Sequence, residues 1–411
     1  MPHQNYNILS TALPYLDFHL KVQSIYFCKV LKYDLITNKF AAIKASIRNK
    51  ILLLVLTCYF VFHSILLIRM LTIPKSTAEG TTTTTATKLP AVIHWVLVFL
   101  GVSNSILFAK KASLVSGWFN ALLQYMKAEP ASNVIVNNFF RFWILEIPTI
   151  FKSFHKFLLF SPIGAPLLNP LLFAVHTLLN PCAPPLIRSS LSDCGHNVAL
   201  IPQSILDPLF KIVFFFLDTI ALGVGFTLTP FGCILIILLG SACFLELIKP
   251  YATTTFQDKL QMVRFYRELQ ILSVYYNKLI TGVLPVLMMS VLSLAIMGIY
   301  SCIALNRIIP GPLLLFWVTL VFEATVFVHA ATYTFLGLVF DNTKALLWTW
   351  KKALGSKNKY VRKVLTSFTP IKIKFGGSGN FMESKTSLRF NKFSVEQAVS
   401  LVLMRKKRGI Q

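Results

Sequence analysis

Ionisable side chains lie inside long apolar runs, among them His63, Asp218, Glu323 and His329. A charge held at the middle of a bilayer costs at least ~2.5 kcal/mol, so each such group must face a cavity, find a partner or lose its charge. Glu323 is the most costly, near the middle of its run. Asp218 lies eleven residues into another, downstream of Asp207 and Lys211, which can pair at i,i+4. Arg69 can snorkel outward. Groups of this kind place charge and recognise ligands. No pair of carboxylates and no Ser/His/Asp spacing stands out, and no Cys/His spacing resembles a metal site. Gly223-Val-Gly225 and Gly376-Gly-Ser-Gly379 are too short and wrongly placed for nucleotide loops. The first reads as a thinned helix face for close packing, the second as a bend in a linker. The expectation is a non-enzyme with no metal and no cofactor.

Helices must position these groups, and composition says of what kind. The chain has 411 residues, 55% hydrophobic and only 13% charged, with a mean hydropathy of +0.65. A soluble domain carries about 25% charged residues. The fold class is therefore an all-α polytopic membrane protein with the lipid bilayer as its first partner. The net charge of +25 does not call for nucleic acid, because the basic residues sit between apolar runs, as in cytoplasmic loops. Residues 1–50 lack a secretory signal, which places the N-terminus in the cytoplasm.

The runs fall at 51–73, 91–109, 157–179, 207–248, 280–305 and 311–340, with a short one at 393–404. The run 157–179 carries Pro162, Pro166 and Pro170, which kink a helix and need protein or water around the freed backbone. The fourth run has 42 residues, about 63 Å as helix, against a hydrocarbon core of ~30 Å. It either crosses once and projects, or turns back at Pro230. Charge decides. With one crossing, segments 1–50, 110–156, 249–279 and 341–392 share a side and hold 30 Lys/Arg, against 4 in loops 74–90, 180–206 and 306–310. Two crossings destroy that bias, so the positive-inside rule favours one. The expected architecture is a seven-transmembrane-helix bundle with cytoplasmic N-terminus and a long fourth helix. Its parts are a cytoplasmic amphipathic segment (1–50), a six-helix transmembrane domain (51–340), a basic cytoplasmic linker (341–392), and a short seventh helix with a basic tail (393–411).

On this layout Phe210, Phe214, Phe215 and Phe216 stand beyond the bilayer, covered by the Pro-rich span and the 180–206 loop. Cys182 and Cys194 share that loop and are a disulfide candidate if it faces outside. The outer halves of the helices offer a small-molecule site: His94, Trp95, Phe99, His176, Phe214, Asp218, Tyr300, Trp317 and Glu323. Each alone is equally a packing residue. Together they make an apolar pocket with a few polar groups.

The layout resembles the insect odorant/gustatory receptor superfamily and its divergent arthropod relatives. Points of similarity are the helix before the first span, the long fourth helix, the basic helix carrying Arg264-Phe265-Tyr266-Arg267-Glu268-Leu269-Gln270 before the fifth, and the short last helix after a basic linker. The gustatory branch's closing Thr-Tyr and Gln-Phe are absent from Phe393-Ser-Val-Glu-Gln-Ala-Val-Ser-Leu-Val-Leu-Met404. The resemblance implies a plasma-membrane chemoreceptor that binds a small organic ligand and gates cations as a homo- or hetero-tetramer with related receptor subunits. It also implies a pore lined by the last helix, where Ser394, Gln397 and Ser400 recur every three residues beside Glu396. The other reading of that helix is an amphipathic one lying on the cytoplasmic surface. The competing classes are a polytopic transporter, against which the chain shows no internal repeat, and an orphan membrane protein without channel activity.

Overall fold

The structure, a computed structural model, describes residues 8–25, 30–34, 37–43, 47–72, 81–128, 171, 207–253, 259–306, 311–354, 359–376 and 379–407, except for some helical side chains. The third apolar run and the loop with Cys182 and Cys194 lie outside the described residues.

The N-terminal segment forms helix α1 (Ile8–Ile25) and a hairpin of β1 (Leu31–Asp34) and β2 (Lys39–Ala42), antiparallel with Leu31 opposite Ala42. The hairpin turns at Asn38, whose φ of 51° is one that Asn tolerates. Leu9, Leu16 and Leu20 are buried in the main core, where α1 meets the long fourth helix.

Helix α2 (Ile47–Thr72) is apolar all round, with mean hydropathy 2.6 over its best window. Only Leu56, Tyr59, His63 and Leu66 are buried. That spacing is a one-sided stripe, and the exposed Ile51, Leu54, Val61, Ile65 and Ile68 make a lipid-facing surface. Helix α3 (Thr81–Ala128) runs 48 residues unbroken. It lies antiparallel to α2, since Ser64 meets Trp95 while Phe60 meets Phe99.

The fourth helix has no hairpin at Pro230. Helix α4 (Asp207–Pro230) continues as a π-helical segment, π1 (Phe231–Leu238), and then as α5 (Leu239–Thr253). A prolyl ring lacks an N–H and crowds the carbonyl four residues back. A wider winding after Pro230 absorbs this without turning the chain. Asp218 lies level with Tyr59 on α2, whose phenol also reaches His94. Seven residues further along each helix, Gly101 meets Gly225, where a Cβ on Gly101 would stand 2.7 Å from the Gly225 Cα. Equal offsets mean that α3 and α4 run parallel, as one passage of the fourth helix requires.

Helix α6 (Lys259–Ile280) turns at Gly282 (φ 90°) into α7 (Val283–Ala304). Lys111 of α3 donates to the carbonyls of Lys278, Leu279 and Thr281 at this corner, satisfying the orphan acceptors of a helix end. Gly240 lets α5 close on Tyr276 and Trp118, and the Tyr276 hydroxyl donates to the Ile237 carbonyl at 2.9 Å. Helix α8 (Gly311–Phe322) passes through a second π segment, π2 (Glu323–Thr332), into α9 (Tyr333–Leu354). Short α10 (Lys359–Ser367) leads back to α6, where Tyr266 donates to the Thr369 carbonyl and burial pushes its phenol above its ordinary range.

The last helix, α11 (Thr386–Lys407), has 22 residues and begins seven residues before the apolar run that marks it in the sequence. At ~1.5 Å per residue it is about 33 Å long. Thr334 donates to Ser387 near its start, and Arg405 near its end donates to the Ala304 carbonyl of α7. It therefore runs the length of α7.

Candidate functional site

Among the described residues a polar cluster is buried between three helices. It is built by α2, α3 and α4. Tyr59 and His63 share the buried stripe of α2 at i,i+4, His94 comes from α3 and Asp218 from α4; all are at most 5% exposed. Tyr59 donates its phenol proton to Asp218 Oδ1 and lies 3.5 Å from His94 Nε2. His63 Nε2 stands 3.8 Å from Asp218 Oδ1, beyond hydrogen-bonding distance. Among the described residues neither ring nitrogen of His63 makes a hydrogen bond. The rings close round it, Tyr59 at 4.3 Å and His94 at 4.9 Å between centroids. The cluster thus holds one carboxylate, one phenol and two imidazoles in an apolar surround. Such a group presents both donors and acceptors in a buried, low-dielectric surround, where each hydrogen bond gains strength.

Beside it, on the α2–α3 seam, Trp95 donates its indole N–H to Ser64 Oγ at 2.8 Å and stacks on Phe99 at 5.7 Å. Phe60 packs against both. The structure therefore brings together His94 and Asp218, and sets Trp95 and Phe99 on the next face. Tyr300 lies elsewhere, in a separate apolar cluster with Ile93, Val96, Leu97, Leu294 and Leu305. The backbones at Phe214, Trp317 and Glu323 are helical; their side chains, and all of His176, lie outside the described residues. Sequence reasoning missed Tyr59. An aromatic in an apolar run reads as core, and the one available signal was its i,i+4 spacing to His63.

The last helix needs a correction. Ser394 is fully buried and donates to the Phe390 carbonyl at 2.9 Å, so it does not share a water-facing stripe with Gln397 and Ser400. Those two are exposed, as are Phe393, Val395, Glu396, Val399 and Leu403. The buried face of α11 instead runs through Ser387, Ser394 and Ala398. Three-residue steps drift by about 60° each on a 3.6-residue helix, so Ser394 and Ser400 point about 120° apart.

No protein-family model and no characterised protein sequence matches the chain. A solved structure does: the insect olfactory receptor OR5 from Machilis hrabei, with a TM-score of 0.61 and 14% identity over 96% of this chain and 99% of that one. The chain has the fold of an insect odorant receptor, an all-α polytopic membrane fold.

Proposed function

We propose that the chain is a chemosensory receptor of the odorant/gustatory type. It sits in the plasma membrane with its N-terminus in the cytoplasm, takes a small organic molecule from the outer side, and gates a cation pore as a homo- or hetero-tetramer with related subunits. The observation that carries this reading is the likeness of fold to an insect olfactory receptor over nearly the whole of both chains. The bare outer face of α11 supports the pore. It carries Glu396, whose carboxylate lies 3.7 Å from Lys392 Nζ, with Gln397 and Ser400 along one side. Carboxylate rings suit cation channels, and the exposed Val395, Val399 and Leu403 supply apolar flanks for neighbouring subunits. The buried cluster at Tyr59, His63, His94 and Asp218 supports a polar recognition element beside an aromatic wall.

Whole-cell recording from cells that display the chain at their surface, alone and with a partner subunit, tests the reading against a broad odorant and tastant panel. A ligand-dependent inward cation current is expected, with Gln397→Cys and Ser400→Cys channels blocked by a charged thiol reagent and Ser394→Cys protected. Silence to the whole panel despite surface display would favour the orphan alternative.

A further inference from the structure

The π2 segment stays π-wound for ten residues, Glu323–Thr332. Such winding is rare, is mostly confined to single turns, and often marks functional positions. The other π segment, π1, packs against it. Within π2, His329 is fully buried. Its Nδ1 lies 3.0 Å from Asn391 Oδ1 on α11. A carboxamide oxygen only accepts, so Nδ1 carries the proton and Nε2 is left as an acceptor. Among the described residues Nε2 has no hydrogen-bond partner. A buried acceptor without a donor costs free energy, and in a native structure it calls for a reason.

The surroundings supply one. Tyr333 and Phe390 wall the imidazole at 5.4 and 5.8 Å between centroids. Thr334 bonds Ser387 one turn further on, at 2.9 Å. Beyond that the backbone of Glu383 lies against Gly337, where any Cβ would collide with it. The first turns of α11 are thus fixed to π2 and the start of α9, while the outer end is tied to α7 through Arg405. Rewinding one π turn as α drops one residue from the turn and rotates the downstream helix by about 100°. His329 would then leave Asn391 and the grip on α11 would change. Two discrete windings of one packed element are what a switch requires.

We propose that Glu323–Thr332 is a two-state winding switch that steers the last helix, with His329 as the positioning residue whose contact with Asn391 passes its state on. The gating role rests on the pore reading above; the coupling rests on its own contacts. The test uses the full chain in two readouts. In planar bilayers bathed in NaCl, His329→Ala and Asn391→Ala should each shift single-channel open probability about ten-fold in the same direction, and the double variant no further. His329→Gln, which keeps a donor for Asn391, should return it toward the parent. A purely structural role would lower the yield of folded protein and leave open probability per channel unchanged. In lipid nanodiscs, amide hydrogen exchange over 386–394 should rise about ten-fold in either Ala variant, with Gln again closer to the parent. Additive effects on open probability, or unchanged exchange over 386–394, would overturn the coupling. If the parent passes no current while exchange responds as stated, the pore reading falls and the coupling stands. Should current flow with exchange unaltered, the reverse holds.

Discussion

Asp218 is the residue on which the buried cluster turns, because a carboxylate taken out of water must be bonded to stay. Tyr59→Phe removes its phenol donor and should destabilise the protein by about 1–3 kcal/mol, measured as a lower melting temperature in detergent. Asp218→Asn should cost less, since a carboxamide oxygen still accepts from Tyr59. A larger loss for the Asn variant would mean that the carboxylate charge, rather than its acceptor, holds the cluster. The glycine pair gives a sharper contrast. A Cβ on Gly101 would stand 2.7 Å from Gly225 Cα, whereas one on Gly225 meets nothing nearer than 3.5 Å. Gly101→Ala should therefore force α3 and α4 apart at about 1–3 kcal/mol, and Gly225→Ala should be near neutral by thermal unfolding.

Among the elements, the corner between α6 and α7 depends on a partner distant in sequence. Lys111 donates to three carbonyls there. Lys111→Met keeps the aliphatic stem and removes the donors. We expect it to raise hydrogen exchange at the end of α6 and to cost about 1–3 kcal/mol. Exchange unchanged at 276–282 would show that Gly282 alone shapes the turn. The elements also show what could be read in advance. The fourth helix was legible because an apolar run too long for one bilayer, flanked by basic segments, leaves few topologies. The close-packing role of Gly225 was legible too, since a helix loses its side-chain wall there. The hairpin at 31–42 was not, because its short strands extend the apolar pattern of the preceding helix. Neither was the start of α11. Thr386 to Lys392 is polar, and what makes it helical is tertiary: Ser387 and Asn391 bond to π2 and α9. Of the two π segments, π1 is marked only by Pro230 just before it, and π2 leaves no mark, since winding within an apolar run does not alter its composition.

For the whole molecule the directions of the helices form one consistent set. Antiparallel α2 and α3, parallel α3 and α4, and an α11 that follows α7 put residue 47 and residue 407 at opposite ends of the bundle. Epitope tags at the two termini, probed by antibody on intact cells, should therefore differ: N-terminal tag silent, C-terminal tag stained. Staining of both or of neither would break the topology.

Helix α3 carries His94 near one end and Asn120 near the other, where Asn120 clasps both backbone groups of Phe40 in the hairpin. The 26 residue steps from one to the other make a rod about 39 Å long. A rod of that length turns a five-degree lean at its outer tip into roughly 3 Å of travel at the far end, and because its backbone ladder is uninterrupted there is little slack to swallow the motion. A displacement of the aromatic wall at one end of the rod would therefore reach the two-stranded ribbon held at the other end.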